Sequence, residues 1–281
     1  MRRMKGSIAQ IVALTCHANA FLKGKEIDLF FPNNSTCMHC DRIYFVEGSR
    51  TSEGKWKLGE DLASTPDGWF NYIRLNNAIG VRVSRIPQND EDRMNVGFVG
   101  QGGLWEMEVL YKNNNSSFWQ PIWMIWDQNA PENKIWRVAY GKIGTSPTAS
   151  IKQKSIDQIS KEFLNALKDV KNFAVDIKCD EYFIKNFQKA INTLEKEKPT
   201  FEHDWFHRDI CPKSICNEDI IKILGACQYA YVFGGMGTWN DLLAEEEFDV
   251  EEYNRVSENL FSILMETIVV ATNVTFYKKS G

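Results

Sequence analysis

The chain has 281 residues, of which 43% are hydrophobic and 25% are charged, and its formal net charge is −4. These values are close to those of globular proteins and exclude a disordered, collagen-like or coiled-coil chain. A chain of this length suits one large domain or two ordinary ones, and either half is long enough to bury a core of its own.

The charge is unevenly distributed along the chain. Residues 1–147 contain 17 Lys and Arg against 15 Asp and Glu, a net charge of +2, whereas residues 148–281 contain 16 against 22, a net charge of −6. The segment from Ile223 to Asn254 contains no Lys or Arg and many acidic residues. Because such a segment repels phosphate backbones, the sequence favours a basic protein as the partner and disfavours nucleic acid.

The N-terminal residues superficially resemble a secretory signal, with basic residues, an apolar stretch from Ile8 to Cys16 and then Ala18-Asn19-Ala20. Gln10 interrupts that stretch, and no apolar run approaches the ~20 residues that a membrane span requires. The seven cysteines, an odd number, are typical of reduced thiols. We therefore expect a cytoplasmic protein with no membrane partner. The pattern of residues 8–23 fits either a helix or a strand, and both alternatives stay open.

The segment from Ile79 to Ile143 predicts a meander of antiparallel strands joined by turns rich in Asn and Gly. In this pattern Glu106 and Glu108 lie on a solvent-exposed face of the sheet. Pro121 has no N–H for the strand ladder, which predicts an edge strand or a bulge there. The predicted strands include runs through Val81 and Val83, through Met94, Val96 and Phe98, and through Trp105, Met107, Val109 and Tyr111.

After the stretch Gly144–Thr148 the apolar period changes from two residues to three or four, which predicts four amphipathic helices. Ser155 and Gln158 have the spacing of a capping box at the first of these helices, and Asn217 is the expected cap of the third. We predict an α+β protein. In this prediction residues 1–147 form a mixed, mainly antiparallel domain built on a Trp-rich β-meander, and residues 148–281 form an all-α domain of about four helices.

Two groups of His and Cys residues are weak candidates for a zinc site. One contains a C-x2-C pair without the second pair that a zinc knuckle requires; the other has two His at i, i+4 spacing but no H-E-x-x-H motif, and Pro212 interrupts it. We favour structural roles for both groups and predict no cofactor. The candidates are Cys37 and Cys40 in the first group and His203, His207, Cys211 and Cys216 in the second.

The segment from Val232 to Asp241, with the sequence VFGGMGTWND, is the most distinctive in the chain. Its glycines follow a predicted helix and no Lys follows them, which disfavours phosphate binding, and Gly234 suits the left-handed residue that ends a helix. Together with His207-Arg208-Asp209, Ala226-Cys227-Gln228 and residues 253–261, this segment resembles an uncharacterised group of bacterial proteins with a VFGGMG-[ST]-WND signature. The resemblance covers roughly the last 80 of the 281 residues and implies a bacterial origin without a known activity.

The leading functional hypothesis is a cytoplasmic, non-enzymatic binding protein, of the immunity or defence-associated kind by analogy with small acidic immunity domains. Its acidic C-terminal surface would bind a basic protein partner. One alternative is a zinc-dependent hydrolase that uses His203, His207 and Cys211. Another is a small-ligand binder in the Trp-lined sheet, which contains Trp105, Trp119, Trp123, Trp126 and Trp136. The partner-binding candidates are Trp239, Asn240, Asp241, Glu245, Glu246, Glu247, Asp249, Glu251 and Glu252.

Overall fold

The structure is a computed structural model that describes residue 4 and residues 6–50, 56–99, 101–150, 152–198, 207–244 and 248–277. The fold is a mixture of helices and one sheet. Within the described residues the α-helices are α1 (Gly6–Leu22), α2 (Pro66–Leu75), α3 (Asp92–Asn95), α4 (Ile156–Asp176), α5 (Glu181–Glu195), α6 (Glu218–Ala230) and α7 (Val250–Val274). The strands are β1 (Cys40–Arg50), β2 (Trp56–Ala63), β3 (Ala78–Ile86), β4 (Leu104–Tyr111), β5 (Asn115–Ile125) and β6 (Trp136–Pro147).

The six strands form one sheet in the order β2-β1-β6-β5-β4-β3. The meander predicted from the sequence is present, because β3, β4, β5 and β6 follow one another as antiparallel neighbours. The sheet is mainly antiparallel, and its one parallel pair, β1 with β6, lies outside the predicted meander. A parallel pair requires a long crossover, and here the chain between β1 and β6 contains the other four strands.

Helix α1 settles the ambiguity of residues 8–23. All residues from Ile8 to Ala20 are buried, as expected for a helix that is apolar on every side. Its one long polar residue near the start, Gln10, accepts from the Tyr140 hydroxyl at 3.0 Å and donates to the Thr36 carbonyl at 3.2 Å. Burial of this amide is therefore compatible with the core.

The four helices predicted after residue 148 are present as α4, α5, α6 and α7. Ser155 and Gln158 form the expected capping box of α4, and the side chain of Asn217 caps α6 by accepting from the Ile220 N–H. In the parts of the chain that the structure describes, no helix is both long and apolar enough to cross a bilayer.

The boundary predicted at residue 147 does not separate two cores. Helix α7 packs on β3 as well as on α4 and α6, and α1 contacts β3, β4 and α7. One cluster of buried apolar residues extends through both halves and includes Val12, Val109 and Ile268. The division into a β domain and a separate four-helix domain is therefore not confirmed.

Two local predictions within the meander are wrong. The run through Met94, Val96 and Phe98 does not form a strand; it contains α3, a single helical turn. Glu106 and Glu108 are buried at 8% and 6% exposure, so β4 has no solvent-exposed face at these positions. Burial raises the pKa of Glu106, which accepts a hydrogen bond from Gln120 at 2.9 Å.

Two further predictions concern Pro121 and Gly234. Pro121 lies in β5, an interior strand, but the pairing with β4 ends at Trp119 and a register shift towards β6 falls between Phe118 and Trp119. The strand is therefore irregular near Pro121, which agrees with the bulge alternative, and it is not an edge strand. The left-handed residue of the VFGGMG segment is Gly237, with φ of 71°, and not Gly234.

Candidate functional site

A cavity of about 310 Å³ lies beside two tryptophans at the end of the sheet, and we name it the aromatic cavity. Its walls come from the start of α1, from the 3-10 helix Ser35–Cys37 with the loop that follows it, and from β5 and β6. The residues that line it are Met4, Gly6, Ser7, Ser35, Thr36, Met38, His39, Cys40, Val99, Trp123, Trp136 and His207.

The sheet positions the aromatic wall. Trp123 and Trp136 lie on neighbouring strands, and their rings meet edge to face with centroids 5.9 Å apart and an interplanar angle of 75°. This is one of the arrangements that aromatic pairs prefer. The backbone N–H of Trp136 donates to the His39 carbonyl at 3.0 Å, which holds His39 against the same wall.

The aromatic cavity contains polar groups that the fold does not use. Within the described part of the chain, the side chains of Ser7 and His39 make no hydrogen bond, and His39 is exposed. The indole N–H of Trp123 is buried and has no partner among the described residues. The thiol of Cys40 accepts from Gln10 at 3.5 Å, and burial raises its pKa to about 11, so it stays protonated at neutral pH. A serine and an imidazole are thus available beside an aromatic surface.

A second, larger cavity of about 1170 Å³ lies on the other side of Ser35, and we name it the polar cavity. Among the described lining residues, His17 supplies the imidazole, and its side chain is buried. Its Nδ1 lies 2.8 Å from the Ala13 carbonyl, so Nδ1 carries the proton and Nε2 is the acceptor. Burial lowers the pKa of His17, which makes the neutral ring the dominant form at neutral pH. The cavity is lined by His17, Glu26, Ile27, Asp28, Ser35, Arg208, Asp209, Cys211, Pro212, Lys213 and Ser214.

Ser35 connects the two cavities and holds the segment that begins at His207. The Ser35 hydroxyl donates to the Asp209 carboxylate and lies 2.9 Å from Nδ1 of His207. The Ser35 backbone N–H also donates to Asp209, at 2.7 Å. Since the hydroxyl proton goes to the carboxylate, Nδ1 of His207 is the donor to the serine oxygen.

This trio does not have the geometry of a hydrolytic triad. In a triad the imidazole accepts the serine proton and the carboxylate accepts from the imidazole. Here Asp209 accepts directly from Ser35, and His207 donates to it. The backbone of His207 is fixed in addition by Gln228, which accepts from its N–H and donates to its carbonyl, both at 3.2 Å. The arrangement therefore anchors residues 207–209 to the 3-10 helix.

The structure separates the zinc candidates. Cys37 is buried and donates to the Phe30 carbonyl at 3.8 Å, and burial raises its pKa. His207 contacts Ser35, whereas Cys211 contacts the thiols of Cys16 and Cys216. His203 lies outside the described residues. Across the described ranges, no group of three or more His, Cys, Asp or Glu side chains is arranged to hold a metal ion. The zinc-dependent hydrolase stays a prediction.

The acidic-surface hypothesis requires a correction at Trp239 and Asn240. Trp239 has no exposed surface, and its indole N–H donates to Ser257 at 2.7 Å. Asn240 is 4% exposed and donates to the Arg93 carbonyl at 2.9 Å. In this conformation both residues support the fold and cannot contact a partner.

The acidic side chains around them have several different roles. Asp241 accepts from the backbone N–H groups of Gly237 and Thr238, and Asp249 caps α7. Glu252 is paired with Arg255 at 2.6 Å, and the hydrogen bond from Arg255 lowers its pKa. Glu251 is exposed and has no ion pair within the described residues. Glu245, Glu246 and Glu247 lie outside the described residues, so a basic protein partner stays a prediction that depends on them and on Glu251.

Of the five tryptophans proposed to line a ligand site, the structure brings Trp123 and Trp136 together at a cavity. Trp105 and Trp119 belong to the core, and Trp126 is 54% exposed beneath the guanidinium of Arg137. Sequence reasoning did not identify Ser7, His39 or Val99 as lining residues. His39 lies within the C-x2-C motif, which was interpreted as a candidate metal site and not as part of a ligand cavity.

Comparisons with protein-family models, with curated proteins and with solved structures found no significant match for this chain. The functional inference therefore depends on the geometry of the molecule itself. The resemblance of the VFGGMGTWND segment to a bacterial group stays a prediction, as does a cytoplasmic location.

Proposed function

We propose that this chain is a non-enzymatic binding protein that holds a small, mainly aromatic molecule in the aromatic cavity. The single observation that carries the proposal is the position of the Trp123–Trp136 pair on the wall of a cavity of about 310 Å³. Ligand sites in proteins are typically clefts of roughly 300–1,000 Å³, with apolar and aromatic walls and a few polar groups that fix the orientation of the ligand.

The lining residues indicate the chemistry of the ligand. Trp123 and Trp136 offer aromatic surface, and Met38 and Val99 add flexible apolar contacts at the mouth, where both are partly exposed. These walls favour a flat, uncharged ring system, because the described residues that line the cavity include no Lys, Arg, Asp or Glu. Ser7 and His39 supply a hydroxyl and an imidazole for one or two hydrogen bonds with the ligand.

A competing assignment of the site as a hydrolase lacks support from its geometry. Ser35 and His207 both line the aromatic cavity, but their hydrogen bonds run from imidazole to serine and from serine to Asp209. The imidazole is therefore not placed to take the serine proton. Binding without chemistry is the function that the arrangement favours.

The test uses two probes of nearly equal shape. Acetophenone has an aromatic ring and a carbonyl acceptor, and α-methylstyrene replaces that carbonyl with a carbon–carbon double bond. Saturation-transfer NMR on the full chain measures the binding of each probe. We expect both probes to bind and acetophenone to bind more tightly, because the Ser7 hydroxyl and the His39 imidazole can donate to its carbonyl.

A matched pair of variants locates the binding. Val99→Trp fills the aromatic cavity from its mouth, whereas Val175→Trp makes the same change on the exposed face of α4, where the valine is 48% exposed. Val99→Trp should abolish the transfer signal and Val175→Trp should preserve it. Equal signals from the two variants would show that the probes bind elsewhere and would remove the basis for the proposal.

A further inference from the structure

Three thiols meet at the wall of the polar cavity. Cys211 is 1% exposed, and hydrogen bonds with the thiols of Cys16, in α1, and of Cys216, together with burial, raise its pKa well above the ordinary value. All three are free cysteines. Cys16 has no exposed surface, whereas Cys216 is partly exposed. The cluster therefore contains one accessible sulfur, one that lines the cavity and one enclosed in the core.

A tight turn brings Cys211 and Cys216 towards each other. The backbone N–H of Cys216 donates to the Pro212 carbonyl at 3.0 Å, and the N–H of Ile215 donates to the same oxygen at 3.1 Å. The thiol of Cys211 lies 3.9 Å from that oxygen too. The Pro212 carbonyl oxygen therefore lies near both the Cys211 sulfur and the Cys216 backbone N–H. Cys211 and Cys216 thus lie at the two ends of a single turn.

We propose that Cys211 and Cys216 form a reactive dithiol that a low-molecular-weight disulfide, of the glutathione class, oxidises to an intramolecular disulfide. Cys216 reacts first, because it is the accessible member of the cluster. Its thiolate attacks one sulfur of the oxidised glutathione, forms a mixed disulfide and releases one glutathione thiolate. The Cys211 thiol then attacks the Cys216 sulfur while its proton passes to the departing second glutathione. The two thiol protons end on the two glutathione molecules, and two electrons pass from the protein to the oxidant.

Cys16 is not the partner in this reaction. It lies in α1, which is buried along nearly its whole length and cannot move towards the surface without disrupting the core. The turn from Pro212 to Cys216, in contrast, contains the exposed residues Lys213 and Ser214. It can adjust to the geometry that a disulfide requires.

A disulfide between Cys211 and Cys216 would restrict the conformation of one wall of the polar cavity. Cys211, Pro212, Lys213 and Ser214 all line that cavity, and the Ser214 hydroxyl donates across it to the Glu26 carbonyl at 3.2 Å. A disulfide that closes this turn ties the wall to a single conformation. The dithiol is therefore a modification site next to a cavity that is distinct from the aromatic cavity of the proposed function.

The experiment equilibrates the full chain with mixtures of reduced and oxidised glutathione, quenches it by acid and maps the disulfides by mass spectrometry of peptides. We expect a Cys211–Cys216 disulfide, with a loss of one hydrogen molecule in mass and no retained glutathione. Cys211→Ser should trap the mixed disulfide on Cys216, whereas Cys179→Ser should leave the disulfide unchanged. Cys179 provides the control because it is a buried thiol in the turn between α4 and α5, where it donates to the Asp180 carbonyl at 3.6 Å.

The peptide map of the unaltered chain is decisive even if a variant fails to fold. A disulfide between Cys16 and Cys211 would overturn the proposal, as would thiols that stay reduced while oxidised glutathione is in large excess. Retention of glutathione on Cys216 in the unaltered chain would also contradict it, because the neighbouring thiol would then have failed to complete the exchange.

Discussion

Asn273 of α7 pairs with the backbone of Val83 in β3 as if it were a residue of a neighbouring strand. Its side-chain oxygen accepts from the Val83 N–H at 2.7 Å, and its side-chain nitrogen donates to the Val83 carbonyl at 3.0 Å. Asn19 of α1 does the same for Val81, with both distances at 2.8 Å. An unpaired edge strand promotes aggregation, and two amides from two helices here satisfy the edge that β3 would otherwise leave open.

We expect Asn273→Ala to destabilise the protein by about 2–4 kcal/mol, because it leaves a buried N–H and a buried C=O of Val83 without partners. Chemical denaturation followed by circular dichroism measures the change. Asn192→Ala serves as the control, since Asn192 is exposed on α5, and it should alter the free energy of unfolding by less than about 0.5 kcal/mol. Similar small changes from both variants would show that Asn273 is dispensable.

The buried ion pair between Arg82 and Glu108 gives a second prediction. The two side chains are 6% and 8% exposed, and their closest atoms are 2.6 Å apart. Glu108→Leu leaves a buried, unpaired guanidinium and should cost about 3–5 kcal/mol of the free energy of unfolding. The double variant Arg82→Met with Glu108→Leu should recover most of that loss, because both charges are then removed.

The exposed pair Lys185–Glu181 is the comparison for this experiment. Its side chains are 70% and 78% exposed. Solvent screening makes the contribution of such a pair to stability small, so Glu181→Ala should leave the denaturation midpoint nearly unchanged. A double variant at Arg82 and Glu108 as unstable as the single one would indicate that the pair is required for packing and not only for charge balance.

The lowered pKa of His17 predicts how the free energy of unfolding depends on pH. Burial lowers its pKa below 6.5 in the folded protein, whereas the unfolded chain has the ordinary value of 6.5. Between these two pKa values the unfolded state binds a proton that the folded state does not, so the free energy of unfolding falls as the pH falls. His17 therefore contributes its full stability above pH 6.5 and loses it as the pH decreases towards its folded pKa.

His17→Gln should flatten the pH dependence of the denaturation midpoint between neutrality and about pH 5, because the replacement does not titrate there. His39→Gln, at an exposed position, leaves the buried imidazole of His17 in place, so the part of the slope that His17 causes should persist. If the slope persists in His17→Gln, another group is responsible for the pH dependence.

The local elements followed from the sequence because their signals are local. The capping box of Ser155 and Gln158 and the cap of α6 by Asn217 depend on residues within one turn, and both are present. The burial of Glu108 could not be inferred in this way. Alternation within β4 predicts which side chains share a face, but only the neighbouring Arg82 in β3 makes burial of the carboxylate tolerable.

The candidate site was predictable only in part, because it depends on contacts between residues that are distant in the sequence. The tryptophan content suggested an aromatic ligand site, but the pairing of Trp123 with Trp136 depends on the register of β5 against β6. Ser7 and His39 come from segments far away in the sequence. Asn19 and Asn273 have no sequence signature as edge-capping residues, because each acts on a strand that is distant along the chain.

The most direct test of the central claim is the NMR titration of the indole N–H resonances with acetophenone. Nine tryptophans give nine such resonances, and the Trp123→Phe and Trp136→Phe variants assign the two that belong to the aromatic cavity. The account predicts saturable shifts of these two resonances, with those of the core residues Trp69, Trp119 and Trp239 unmoved. Shifts confined to the core tryptophans, or none at either Trp123 or Trp136 at saturating acetophenone, would contradict a ligand site at the aromatic cavity.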